Sequence, residues 1–421
     1  MPLKRALGLG ALSFYGIGII LGAGIYSVLG AAAGVARDAL WQSFLVSSVV
    51  ALLTALSYAE LSTTYPQASA EFTYLRKAFP EWRGVALATG LLVALSGAAT
   101  AATVAIAFGG YFRGFVDVPA PLVAWLLIAA SAALNLVGVK QSGWVNTLFT
   151  LLEAGGLLLF IGLGMQSESF GDALAAVPHA GVVPGTALVF FSYLGFENIA
   201  NLAEEAKHPA RDLPRAIFIS LAVASALYVL VALSAVALMP AAELSESPAP
   251  LADAARARSR MFASALGGIA LFATANTALV SILVASRVVY GMARERELPA
   301  ALDKISRRSE TPWLAVVLVA LVASSLVPFG NVAVVGSISS FASLLAFAGV
   351  SLALIVLRYR APNQPRPFRV PLQIGRFPLL PALGVVSTVA VATQLETTAL
   401  YGGGAALAVF SAYSYAKHRR R

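Results

Sequence analysis

Two glutamates stand deep inside apolar stretches. Glu153 falls midway along Leu151-Leu152-Glu153-Ala154-Gly155, and Glu197 follows Phe190-Phe191-Ser192-Tyr193-Leu194-Gly195-Phe196. Burying an unpaired charge is costly, so each acid must be neutral, paired or in use. A glutamate at 153 could hold a proton, ligate a cation, or sit protonated and hydrogen-bonded across helices with no part in turnover. Glycines give the second chemical signal. Gly16, Gly18, Gly22 and Gly24 fall within nine residues, and each weakens a helix by about 1 kcal/mol relative to alanine. Such a cluster either lets ordinary helices pack closely or interrupts a helix and frees backbone N–H and C=O groups. Other chemistries lack their residues. There is no cysteine, and His179, His208 and His418 lie far apart, so neither a thiol nucleophile nor a metal set is expected. No glycine-rich loop ends in Gly-Lys-Ser/Thr, so no ATP site is expected. With no intramembrane nucleophile–base pair either, an enzyme is not expected, and no cofactor is called for.

The elements that must position these residues are apolar helices. Hydrophobic residues make up 59% of the 421 and charged residues 12%, against about 25% charged in globular chains, and the mean hydropathy is +0.81. A surface this apolar needs a bilayer as its solvent. A spanning helix takes about 20 apolar residues, and the runs give twelve: 10–33, 39–62, 85–109, 120–139, 143–165, 184–203, 213–239, 261–290, 312–328, 331–357, 377–395 and 397–416. The first is too long for a cleaved signal peptide and leads straight into further spans. With the N-terminus in the cytoplasm, 24 of the 29 Lys and Arg residues fall on the cytoplasmic side, and Arg256, Arg258 and Arg260 are the one local exception. The basic excess is therefore a topology signal and requires no nucleic-acid partner.

The glycine cluster sits in span one, and the Phe190–Asn198 segment, with its acid and amide, sits in span six. Five spans separate the two, so two five-span units would run in opposite directions. Interrupted spans at matching places in two halves mark the binding site of an inverted-repeat carrier.

The same residues carry a family resemblance. Gly22-Ala23-Gly24-Ile25-Tyr26, Tyr58-Ala59-Glu60-Leu61 with Pro66 and Ala70-Glu71-Phe72-Thr73-Tyr74, Phe190 to Glu197 continuing through Glu204-Glu205-Ala206-Lys207-His208-Pro209 and Leu213-Pro214-Arg215-Ala216-Ile217, and Arg287-Val288-Val289-Tyr290-Gly291-Met292-Ala293-Arg294 with Leu298-Pro299 and Thr311-Pro312 resemble, in order, motifs of the amino acid–polyamine–organocation superfamily of secondary carriers. The match runs over essentially the whole chain. It implies an all-α polytopic membrane protein with the leucine-transporter-type fold and twelve transmembrane helices. Residues 1–376 would hold the ten-helix core, as repeats of about 8–166 and 182–358 with helices one and six broken. Residues 377–421 would add two helices and a basic cytoplasmic tail, in a plasma-membrane protein with both termini cytoplasmic.

The resemblance also assigns a site. Free N–H groups around Gly22, Ala23 and Gly24 suit a substrate carboxylate, with glycine allowing close approach. Carbonyls of Ile20, Phe191, Ser192 and Leu194 suit an ammonium, Gly195 lies in the break, and Phe191 takes the place of an aromatic lid. Many relatives put a lysine at the position of Glu153, so the lysine mechanism does not carry over. Glu197 matches a recurrent acid that could bridge spans one and six or carry a proton. Glu204 and Glu205 close span six, Arg287 and Arg294 close span eight, and these four either form an inner gate or snorkel at the surface. Glu60 reads as an interfacial salt bridge. The expectation is an amino acid permease working by alternating access, with a neutral substrate favoured and a proton as partner. An exchanger, a cationic amino acid or polyamine carrier and a membrane amino acid sensor are the alternatives. A monomer and a homodimer fit the sequence equally.

Overall fold

The computed structural model describes residues 7–66, 70–137, 143–203, 206–306 and 311–419. Among these, a helix lies over each of the twelve apolar stretches. In chain order the helices are α1 (Leu9–Leu21), α2 (Ala23–Ala36), α3 (Leu40–Thr64), α4 (Ala70–Ala78), α5 (Arg83–Phe112), α6 (Ala120–Val137), α7 (Gly143–Met165), α8 (Phe170–Leu174), α9 (Val182–Val189), α10 (Asn198–Asn201), α11 (Pro209–Leu238), α12 (Ala241–Glu246), α13 (Pro250–Arg256), α14 (Arg260–Arg294), α15 (Trp313–Leu326) and α16 (Val332–Arg360). A two-stranded hairpin, β1 (Gln373–Ile374) and β2 (Phe377–Pro378), leads into α17 (Leu379–Ala392) and α18 (Thr397–Arg419).

Eight helical stretches of the described residues are long and apolar enough to cross a bilayer, and the bent pair Leu379–Ala392 and Thr397–Tyr413 makes a ninth if counted once. The first stretch, Leu9–Thr64, has 56 residues, about 84 Å of helix against a hydrocarbon core of about 30 Å. It turns at the 3-10 segment Arg37–Ala39, where Arg37 has φ +47°. Two of the expected spans are shorter as helices. Span nine is α15 plus a 3-10 turn, and span eleven is the 14 residues of α17.

Small residues let the helices approach closely. On α5, a Cβ at Gly97 would lie 2.7 Å from Ala285 Cβ of α14, and one at Gly90 2.5 Å from Met292 Sδ. The connecting helices, which apolar runs do not reveal, cover the two ends of the bundle. At the end where α1 begins, here the N-terminal face, α4 is pinned by Ala70 N–H donating to Asn201 Oδ1 at 2.9 Å. At the opposite face α12 and α13 lie over α2, where a Cβ on Gly30 would meet Leu244 O at 2.6 Å and Pro250 Cγ at 3.3 Å.

Candidate functional site

The two glycine-marked interruptions face each other. α1 stops at Leu21 and α2 starts at Ala23, with Gly22 between them at φ −37°, ψ −148°. Opposite, α9 tightens into a 3-10 turn over Phe190–Tyr193, Leu194 is extended, and Gly195 has φ +126° before α10 resumes. That φ suits glycine, which has no Cβ to clash. A Cβ on Gly24 would lie 2.5 Å from the Ser192 Cα, and one on Gly195 would collide with the Ile19 side chain. Gly24 therefore admits the backbone of the other break, the close-packing role of glycine, in this conformation.

Neither break is left bare. Ala23 N–H, the first donor of α2, is accepted by Thr277 Oγ1 of α14 at 3.1 Å. The Tyr228 hydroxyl of α11 lies against the Ile20 carbonyl and 3.1 Å from the Ser192 carbonyl. The Phe191 carbonyl accepts from Leu194 N–H at 3.3 Å. Three of the four carbonyls expected to be open thus lie against a donor group, and two of them share the single Tyr228 hydroxyl. Buried polar atoms without a hydrogen-bond partner gather nearby: Ser192 Oγ, Tyr26 Oη and Glu153 Oε1. Glu153, 1% exposed on α7, lies within electrostatic reach of Tyr26 and Tyr228.

A cavity of about 150 Å³ runs from the breaks toward the N-terminal face. It is lined by Tyr15, Gly18 and Ile19 of α1, by Ser96 and Thr100 of α5, by Asn276, Thr277 and Ser281 of α14, and by Ser343 and Phe347 of α16. Of the expected residues, Leu194, Gly195, Glu197 and Arg287 line it, whereas Ile20, Gly22, Ala23, Gly24, Phe191, Ser192 and Glu153 do not. Phe191 packs on the other side of the breaks with Ala23, Val28, Val104 and Ala278. Beyond it the Tyr111 hydroxyl donates to Tyr26 O at 3.2 Å. These groups pack between the breaks and the opposite face.

Glu197 turns inward on its own segment, accepting from Gly195 N–H at 2.8 Å, so it caps the break and does not bridge to α1. Glu71 of α4 shares the cavity wall with it. Burial pushes the Glu71 carboxyl above the ordinary range, against the Tyr58 hydroxyl, which donates to it at 3.0 Å. Arg287 is exposed on that wall, and the Arg294 guanidinium lies 5.8 Å from the Tyr290 ring centre. Glu204 and Glu205 lie outside the described residues.

Glu60 is an ion-pair residue, as its sequence position suggested, but a buried one. Arg358 of α16 reaches both its oxygens, Arg366 donates to Oε1 at 3.2 Å, and Val370 N–H donates to Oε2 at 2.8 Å. Both Glu60 and the Arg358 side chain are at most 2% exposed. The pair spans 298 residues of sequence, which is why its partner was not legible.

Apolar helices in number and a cavity at facing helix interruptions define a multi-pass membrane transport protein. The comparisons give the family. A family model described as amino acid permease matches residues 7–411. The chain is 29% identical over 411 residues to the branched-chain amino acid permease BcaP of Bacillus subtilis, covering 91% of this chain and 86% of the permease. It is 29% identical to the methylthioribose transporter of the same organism, covering 88% and 84%. It is 31% identical to the vacuolar cationic amino acid transporter 4 of Arabidopsis thaliana, over 83% of this chain and 62% of that longer protein. The chain belongs to the amino acid permease family, within the amino acid–polyamine–organocation superfamily, and is a transporter and not an enzyme.

Proposed function

We propose that this permease carries neutral amino acids by proton-coupled symport, with substrate held between the interrupted helices α1–α2 and α9–α10. The observation that supports it most is the pair of breaks lying against each other at the head of a cavity with hydroxyl and amide side chains set in a largely apolar wall. The zwitterion needs an anion partner and a cation partner without fixed countercharge. The Gly24 and Ile25 N–H groups at the start of α2 suit the carboxylate, beside the one that Thr277 occupies. The Ile20 and Ser192 carbonyls suit the ammonium, displacing the Tyr228 proton. Glu153, buried with an unpartnered oxygen beside Tyr26 and Tyr228, is the proposed proton carrier.

The twelve helical stretches are read as twelve spans, the first ten forming two inverted repeats within residues 1–376. The N-terminal face is read as cytoplasmic from the Lys/Arg bias, so the cavity makes this an inward-facing state. A second reading has its own observation. Glu71 and Glu197 share the cavity wall with a single exposed arginine, Arg287, which favours a cationic amino acid or polyamine. A thermal-shift screen of the purified protein against amino acids and polyamines, with and without sodium, tests both. A ligand at 100 times its Kd stabilises by about 2.7 kcal/mol. Stabilisation by neutral amino acids without sodium supports the first reading and stabilisation by cationic ones the second. No response to any amino acid or polyamine contradicts both.

A further inference from the structure

The loop joining α16 to α17 builds a pocket that the transport reading does not use. It holds about 290 Å³ and is lined by Arg358, Asn363, Gln364, Arg366, Arg369 and Arg376, with Pro362. Four arginines line it, Arg369 and Arg376 with guanidiniums not engaged elsewhere among the described residues, and no carboxylate does. Among the described residues, the acid paired with these arginines is Glu60, whose single charge already binds Arg358 and Arg366. Arg369 and Arg376 are exposed and have no ion-pair or hydrogen-bond partner among the described residues. Elsewhere on the same face Arg76 pairs with Glu295 and Arg360 with Glu81, so paired arginines stand close to this unpaired set.

The loop is also built to keep this arrangement. Pro362, Pro365, Pro367 and Pro371 restrict its backbone. Arg366 donates to the Leu357 and Ala361 carbonyls at 3.0 and 3.3 Å, and Arg358 donates to Gln373 Oε1 at 2.9 Å. The β1–β2 hairpin and Leu379 N–H donating to Leu372 O close it. Like charges held together by the fold repel one another, and an anion entering among them removes that cost. Guanidiniums match phosphate oxygens as bidentate donors. Arg358 is the last-turn arginine of a membrane helix and Leu379 the first residue of the next, which puts the pocket at the depth of lipid headgroups.

We propose that this arginine pocket is a phosphate-binding site, taking the phosphate of an anionic phospholipid headgroup or of a soluble phosphate monoester. The full-length protein in maltoside detergent is titrated with dioctanoyl phosphatidylglycerol, dioctanoyl phosphatidylcholine and glycerol 1-phosphate, and Kd is read by thermophoresis. The test variant is Arg369→Gln/Arg376→Gln, which leaves the Glu60 cluster intact. Arg258→Gln/Arg260→Gln at the opposite face removes the same charge as a control. The phosphatidylglycerol Kd should rise at least about ten-fold in the test variant and stay unchanged in the control. The same loss with glycerol 1-phosphate identifies a soluble phosphate as a ligand, and a loss confined to the lipid identifies the headgroup. Equal phosphatidylglycerol affinity in wild type and test variant, an equal loss in the control, or phosphatidylcholine binding as tightly as phosphatidylglycerol overturns the site.

Discussion

The Tyr228 hydroxyl of α11 lies 3.1 Å from the Ser192 carbonyl while also touching the Ile20 carbonyl, so one side chain ties the two helix interruptions together. A hydroxyl has one proton and can donate to one carbonyl at a time, whereas an ammonium has three. In the proposed site, an ammonium would take over these two carbonyls from Tyr228.

Replacing that tyrosine should therefore separate the empty from the occupied state. Tyr228→Phe leaves buried carbonyls without their donor, at about 1–3 kcal/mol, so the substrate-free protein should melt at a lower temperature than wild type. Substrate supplies the missing donors, and the substrate-induced rise in Tm should be larger in the variant. An unchanged or smaller ligand-induced rise in differential scanning fluorimetry would remove Ile20 and Ser192 from the ammonium site.

Thr277 is expected to act as a remote helix cap. Thr277→Val keeps the shape but removes the acceptor for Ala23 N–H, at a cost of about 1 kcal/mol. The protein should remain folded, with lower thermal stability. Thr277→Ser should restore the wild-type melting temperature, and failure to do so would show that the methyl group's packing matters and the hydroxyl does not.

The Glu60–Arg358 pair allows a double-mutant test. Arg358→Met strands a buried carboxylate, at about 3–5 kcal/mol. Adding Glu60→Gln removes the stranded charge, and the double variant should recover a large part of the loss. Unfolding followed in detergent reads this directly. A double variant no more stable than Arg358→Met would mean that the clamp acts through packing and not through charge.

Sequence revealed some of these parts and hid others for physical reasons. An interrupted helix needs glycine or another breaker at the interruption itself, so Gly22, Gly24 and Gly195 mark the breaks locally. An acid within an apolar run is conspicuous, which exposes Glu153 and Glu197. Tyr228 and Thr277 are ordinary residues on unbroken helices, and only the fold brings them to the breaks. Glu71 looked like part of a connecting motif until α4 folded back under the cavity. The role of Gly24 also shifted, because the space beside it is filled by the Ser192 backbone.

That shift gives a steric expectation. Any Cβ at 24 must push Ser192 away, so even Gly24→Ala should spread the two breaks and lower stability along with binding. Ser192→Gly removes a side chain but not the obstructing Cα and should not rescue it. Rescue of uptake in the Gly24→Ala/Ser192→Gly protein would place the clash on the Ser192 side chain instead of its backbone.

The most direct test of the proposed function is uptake by proteoliposomes in sodium-free buffer under an imposed pH gradient, with wild type beside Glu153→Gln. Glutamine resembles the protonated acid and keeps hydrogen-bonding capacity. Wild type should concentrate the amino acid that gives the largest thermal shift, and should do so only with the gradient imposed. Glu153→Gln should still exchange labelled for unlabelled substrate but should fail to accumulate it. A variant that accumulates as well as wild type makes Glu153 structural, and wild-type vesicles that move no amino acid faster than protein-free liposomes contradict the account.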